Sequence, residues 1–175
     1  IDDVRQRRGQ LRERRRKASV PTVALVGYTN AGKTTLFNRL TRSQAEASDA
    51  LFVTLDPLVR QVRLPDNREL LVSDTVGSVE EVAEADLALH VVDAAAPDRD
   101  RRMDAVRRVL EEVGALDVPL IDVYNKADQL SPDERRRLLE LDPSAVCISA
   151  LTGENVDELV DTIASRLALD VRRVT

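Results

Sequence analysis

Tryptophan is absent from this 175-residue chain, which holds only two tyrosines and two phenylalanines. Its core must therefore come from Val, Leu, Ile and Ala, and an apolar content of 43% is enough to build one. A single cysteine, Cys147, excludes an internal disulfide framework. Within Ala145-Val146-Cys147-Ile148 it reads as core filler. A single histidine, His90, lies inside the apolar run Leu87 to Val92. With no Cys, His or carboxylate beside it at metal-ligand spacing, it reads as a structural sheet residue. No apolar run approaches the roughly 20 residues that span a bilayer. The start shows no charged-then-apolar signal pattern. These absences point to a soluble protein with no membrane span, expected in the cytoplasm, and the length favours one domain.

Charge is present in both signs but is unevenly spread. The net charge is −5, yet residues 1–17 carry eight basic and three acidic side chains. The rest of the chain carries 18 basic and 28 acidic ones. A basic arm on an acidic domain suits a polyanion such as RNA, and equally suits a solvated helix face. Ile1, Val4, Leu11 and Ala18 fall at sparse a/d spacing, broken by Arg8 and Arg15. That spacing predicts a helix, which Pro21 ends by disfavouring helix at Val20.

The informative stretch is Gly27-Tyr28-Thr29-Asn30-Ala31-Gly32-Lys33-Thr34. It follows the apolar run Thr22 to Val26 and precedes Thr35 to Leu40, which reads as a helix. Strand, glycine loop and helix in that order form a phosphate cradle. Successive loop N–H groups and the free N–H groups of the helix start converge on one place. Lys33 would reach the β- and γ-phosphates, and the Thr34 hydroxyl would bind Mg²⁺. Thr29, Asn30, Ala31, Gly32 and Thr35 complete the cradle.

Further elements alternate along the chain. Thr41 to Asp49 is polar and aperiodic and reads as the start of a long loop that continues through Thr54. Leu58 to Leu64 and Glu69 to Asp74 read as an antiparallel hairpin turning at Pro65 to Arg68. Leu87 to Val92 and Val118 to Tyr124 read as buried strands, and Ala145 to Ser149 as the last one. Met103, Val106, Val109, Leu110 and Val113 share a helical face that ends at Gly114. Ser131-Pro132-Asp133-Glu134 is a capping box with proline at the first helical position. Val156, Leu159, Val160, Ile163 and Leu167 stripe a final helix. Such alternation predicts a mostly parallel sheet covered on both faces.

Three more motifs fall at predicted strand ends, where open α/β sheets bind ligands. Asp74-Thr75-Val76-Gly77 offers a carboxylate for Mg²⁺ and, at Gly77, an N–H for a γ-phosphate. Asn125-Lys126-Ala127-Asp128 supplies a carboxylate that accepts from guanine N1–H and its exocyclic amine. Adenine lacks both donors, so the wrong base would leave that carboxylate unpaired. The Lys126 stem would lie along the purine face. Ser149-Ala150-Leu151 would offer a backbone N–H to guanine O6.

These motifs are those of the translation-factor-related GTPases. The wording from Pro21 to Asn38 closely resembles the HflX family. So do Leu51-Phe52-Val53-Thr54-Leu55-Asp56-Pro57, Asp74 to Gly77, and Ala85 through Asp93. The resemblance covers residues 20–168. It implies a Ras-like P-loop GTPase G domain, with the six strands named above in a mostly parallel sheet. One antiparallel strand would lie at its edge, with helices on both faces. It also implies slow hydrolysis of GTP to GDP, and action on the large ribosomal subunit and its RNA in ribosome splitting or rescue. A monomer is expected. Thr54 matches the switch-one threonine that binds Mg²⁺ and the γ-phosphate, so Lys33 and Thr54 are the catalytic candidates. Asn30 matches a position that binds potassium in related GTPases. A related ribosome-assembly or tRNA-modification GTPase is the nearest alternative. A switch read by GTP or GDP occupancy, with little turnover, is another. Asn125 and Asp128 argue against an ATP-using kinase.

Two departures stand out. Family members carry an N-terminal domain and a two-helix linker, of which residues 1–19 match only the basic helical end. Residues 169–175 form a tail, with Asp170 to Thr175 a candidate first strand of a C-terminal domain. The second departure follows Gly77. A parallel crossover needs a dozen or more residues, usually with a helix. Ser78 to Glu84, fully extended, reach roughly 24 Å. They would leave one sheet face bare, and the family's switch-two stretch is missing there. A native stretch absent from this sequence and a deletion both fit that gap. No general base is assigned.

Overall fold

The computed structural model describes residues 20–47, 59–74 and 79–174. The basic arm, the switch-one stretch with Thr54, and Thr75 to Gly77 lie outside the described residues. Among the described residues, six strands form one sheet in the order β2-β3-β1-β4-β5-β6. They are β1 Thr22–Gly27, β2 Val59–Arg63, β3 Glu69–Asp74, β4 Leu87–Asp93, β5 Leu120–Asn125 and β6 Val146–Cys147. Among these described strands, only β2 runs antiparallel to its neighbour, β3, and it lies at the edge. The fold is the Ras-like arrangement expected.

Strand β1 lies near the centre, parallel to β3 on one side and β4 on the other. Its Val23 to Val26 are all buried because helices cover both faces, which is why the strand reads as an unbroken apolar run. Alternate residues serve opposite layers. Val23 and Leu25 pack with Leu36, Phe37 and Leu40 of α1 (Lys33–Ala47) and with Leu159 and Ile163 of α4 (Val156–Val174). Ala24 and Val26 face the other way, against Leu110 of α2 (Arg99–Glu112). Beyond them, α3 (Pro132–Leu141) sets Leu138 in a third cluster with Tyr124 and Cys147. Leu36 and Leu159 are completely buried, each stabilising by about 1.5–3 kcal/mol.

Three expectations need correction. First, the crossover from β3 to β4 is covered. Val79–Glu84 form a 3₁₀ helix, and Val82, Ala83 and Ala85 are fully buried against Ala24, Val26 and Ala88. Small side chains on the strands let this short helix approach closely. The crossover's end is pinned to the start of β1: Thr22 N–H donates to Asp86 Oδ2 at 2.8 Å, and Asp86 N–H donates to Thr22 O at 2.9 Å. Second, α1 continues to Ala47, so most of Thr41 to Asp49 is helical. Thr41 is buried and its hydroxyl donates to Phe37 O at 2.8 Å, so a polar residue sits on the packed side. Third, α4 runs on to Val174, so Asp170 to Val174 are helix and not a strand.

The capping box forms as read. Ser131 Oγ accepts from Glu134 N–H at 3.2 Å, with Pro132 opening α3. The C-terminal ends of β1, β3, β4 and β5 share one edge of the sheet, since Leu25 pairs Asp74, Gly27 pairs Val91, and Asp93 pairs Asn125.

Candidate guanine nucleotide site

The phosphate loop leaves β1 at Gly27, where a Cβ would lie 2.6 Å from Val91 O. Any side chain there would push β1 away from β4. At Gly32 φ is +94°, and a Cβ would meet Asn125 Nδ2 at 2.1 Å. The second glycine therefore gives the loop its left-handed turn and admits a side chain from β5. Ala31 N–H donates to Tyr28 O at 3.2 Å, and Leu36 N–H donates to Gly32 O at 3.0 Å. Helix α1 thus begins at the loop, with Thr34 and Thr35 exposed on its first turn.

Lys33 reaches across to β3. Its Nζ lies 3.4 Å from Asp74 Oδ1, and the Asp74 side chain is 3% exposed. That oxygen makes no hydrogen bond among the described residues. A buried carboxylate oxygen beside the helix start fits a hard cation or its water. Thr34 and Asp74 therefore pass as candidate Mg²⁺ ligands. Thr54 and Gly77 fall outside the described residues.

Asn125 joins the two halves of the site. It is 3% exposed. Its Nδ2 donates to Ala31 O at 2.9 Å, and its Oδ1 accepts from Ala150 N–H at 2.9 Å. One amide thus bridges the phosphate loop and the loop after β6. Lys126, left-handed at φ 65°, donates from Nζ to Asn30 O at 2.9 Å and to Asp93 Oδ2 at 3.0 Å. Its stem is thereby laid along the cradle, where a purine face would rest on it. Asp128 is exposed, and its Oδ1 accepts from Ser149 Oγ at 2.8 Å.

The Ser149-Ala150-Leu151 triplet divides its three N–H groups. That of Ser149 goes to Glu154 O at 3.0 Å and that of Ala150 to Asn125. The Leu151 N–H makes no hydrogen bond among the described residues. Leu151 is 73% exposed, so the peptide lies at the surface. All the described candidates therefore meet at one edge: Thr29 to Thr35, Asp74, Asn125, Lys126, Asp128 and Ser149 to Leu151.

Three supports escaped the sequence reading. Asp93 ends β4 and holds Lys126. Arg39 on α1 and Arg135 on α3 bond the loops from behind, Arg135 to Glu154 and to Ala127 O. A lone arginine on a helix looks like any solvated charge, so no pattern marks these two. Asp93 was legible in principle, as an acid at a strand end level with Asn125.

Beneath the site, His90 Nδ1 lies 3.0 Å from Asp122 Oδ1 across the β4–β5 pair, and Arg107 reaches Asp122 Oδ2 at 3.1 Å. Burial raises the Asp122 carboxyl, but hydrogen bonds from His90 and Asp142 and the Arg107 charge outweigh it, leaving it below the ordinary value. Asp142 moves the other way, raised by burial and by its hydrogen bond with Asp122. Burial also raises the Cys147 thiol, consistent with an inert core residue.

A phosphate loop, a buried acid at the end of β3 and an Asp128 carboxylate oriented by Ser149 define a P-loop GTPase G domain. Residues 22–126 match a family model described as 50S ribosome-binding GTPase. The chain belongs to that family, and within it to the HflX GTPases. It is 41% identical to the GTPase HflX of Escherichia coli strain K12, over all of this chain and 45% of that protein. Identity to the GTPase HflX of Caldanaerobacter subterraneus subsp. tengcongensis is 40%, over 95% of this chain and 41% of that one. The chain thus spans less than half the length of these curated relatives. The match to the Escherichia coli protein extends over 192 residues against the 175 here, so the alignment includes positions this chain does not fill.

Among solved structures, a GTP-binding protein from Sulfolobus solfataricus in complex with GDP superposes with a TM-score of 0.70 at 24% identity. The superposition covers 85% of this chain and 53% of that one. Elongation factor SelB from Methanococcus maripaludis, bound to the GTP analogue GppNHp, gives 0.63 at 26% identity, over 86% of this chain and 34% of SelB.

Proposed function

We propose that this chain is the G domain of a cytoplasmic protein that hydrolyses GTP to GDP and acts with the large ribosomal subunit and its RNA, in ribosome splitting or rescue. The observation that supports it best is the Asn125 amide, which ties the phosphate loop to the loop beside Asp128. Phosphate cradle and guanine reader are thereby one rigid unit. Asp128 retains Oδ2 for the base while Ser149 holds Oδ1. The loop N–H groups and Lys33 would hold the phosphates, Lys33 exchanging its Asp74 contact for phosphate oxygens. Mg²⁺, held by Thr34 and Asp74 with Thr54, would neutralise charge on the β- and γ-oxygens. The Thr54 backbone is assigned to water positioning on the resemblance alone, and rate enhancement then rests on electrostatic stabilisation by Lys33 and the loop.

A second reading is an occupancy switch with little turnover. One experiment separates them. GTP turnover is measured on the full-length protein and on this chain, with and without large ribosomal subunits. The first reading expects turnover stimulated by subunits; binding without turnover in both proteins supports the switch. Asp128→Asn is expected to shift preference from guanine to xanthine nucleotides, because it turns one acceptor into a donor. Undiminished GDP binding by that variant would refute the base-reading role of Asp128.

A further inference from the structure

Arg39 lies one helical turn beyond the phosphate loop, on a helix assigned to phosphate binding. Its guanidinium nevertheless turns to the other side of the site. Nε donates to Ala150 O at 2.6 Å and Nη2 donates to Leu151 O at 2.8 Å. Two adjacent carbonyls of the loop after β6 are thus taken by one planar fork. We infer that Arg39 is a positioning residue for guanine recognition, acting through these two peptide units. The inference rests on the guanine-binding reading above.

Each bond fixes more than an oxygen. A trans peptide is planar, with its C=O and N–H pointing in opposite directions. Holding Ala150 O therefore aims the Leu151 N–H away from Arg39. That N–H is the donor of the triplet with no hydrogen bond among the described residues. A charged donor on the carbonyl also polarises the peptide and strengthens its N–H toward a base oxygen such as guanine O6. Holding Leu151 O fixes the next peptide, whose Thr152 N–H donates to Ser149 Oγ at 3.2 Å. Ser149 Oγ in turn donates to Asp128 Oδ1 at 2.8 Å. One arginine thus sets the donor for O6 and, through Ser149, the acceptor for N1–H and the amine.

An independent feature of the loop fits this role. At Gly153 φ is +88°, and a Cβ would lie 2.8 Å from Arg39 Nη1. The loop turns left-handed where the guanidinium passes, and glycine leaves room for it. Arg39 is half-buried, so its bonds are only partly screened by water.

The test compares GDP with ADP, which shares the phosphates but offers neither O6 nor N1–H. Kd values are read by displacement of a fluorescent GDP and, for ADP, by NMR titration of the same chain. Losing two charge-assisted bonds at a half-exposed site, Arg39→Ala should weaken GDP about tenfold. ADP should be unchanged, so the GDP-to-ADP ratio falls by the same factor. Arg39→Lys, with a single donor nitrogen in place of the fork, should recover part of it. Equal losses for GDP and ADP would make Arg39 a general support of α1 and overturn the inference. So would unchanged GDP binding in Arg39→Ala. Failure of the wild-type chain to bind GDP would instead refute the guanine-binding reading itself.

Discussion

Replacing Asn125 separates bracing from ligand contact. Its amide is 3% exposed and bonds Ala31 O and Ala150 N–H, both at 2.9 Å. Ala31 and Ala150 are themselves 2% and 1% exposed. Asn125→Ala would therefore strand two backbone groups where water barely reaches. Each stranded group costs about 1–3 kcal/mol, so the pair costs about 2–6 kcal/mol. For a domain of this size, each kcal/mol lowers Tm by roughly 2–4 °C. A fall of at least about 4 °C is thus expected without nucleotide, read by calorimetry. Asn125→Asp is the sharper variant. It keeps an acceptor for Ala150 N–H but sets an oxygen against Ala31 O, at unchanged volume. It should lose GDP affinity nearly as severely as the alanine variant. A nucleotide-free Tm within about 1 °C of wild type in both variants would refute the bracing argument.

Two other outcomes follow from the packing and the buried charges. Val82→Ala should cost about 1–3 kcal/mol in urea unfolding, because Val82 is wholly buried on the sheet; a change under about 0.5 kcal/mol would mean the 3₁₀ helix does not cover that face. Asp142 is raised above its ordinary 3.8 by burial and by Asp122. Its protonated form therefore favours the fold below 3.8, and that contribution is lost as pH rises through the folded value. Asp142→Asn should accordingly raise Tm at pH 7, with the gain vanishing below 3.8; a gain that instead grew on acidification would refute the sign.

Why some parts of this molecule were legible beforehand is a matter of which signals are local. Thr22 to Val26 announces a buried strand because both its faces are covered. Gly27 and Gly32 announce a loop because no other residue fits their positions. Ser131 and Glu134 cap α3 through contacts three residues apart. The misses depend on distant partners. Thr41 to Ala47 carries no apolar stripe, yet continues a helix whose preceding turns are anchored in the core. Val79 to Glu84 is too short for a period to show, and its burial depends on Ala24 and Ala88 being small. Arg39 lies more than a hundred residues from the carbonyls it holds, and nothing near it in sequence hints at them.

The sheet's two margins have a consequence for how copies of this domain meet. An open sheet normally risks growing by adding a strand from a neighbour. Here β6 is two residues long and gives an incoming strand almost no ladder to extend. The opposite margin, β2, reads Val-Arg-Gln-Val-Arg, with Arg60 over the Phe37 ring and Arg63 paired to Glu69. A second β2 laid alongside would bring like charges together at strand spacing. Strand addition between copies is therefore disfavoured at both margins.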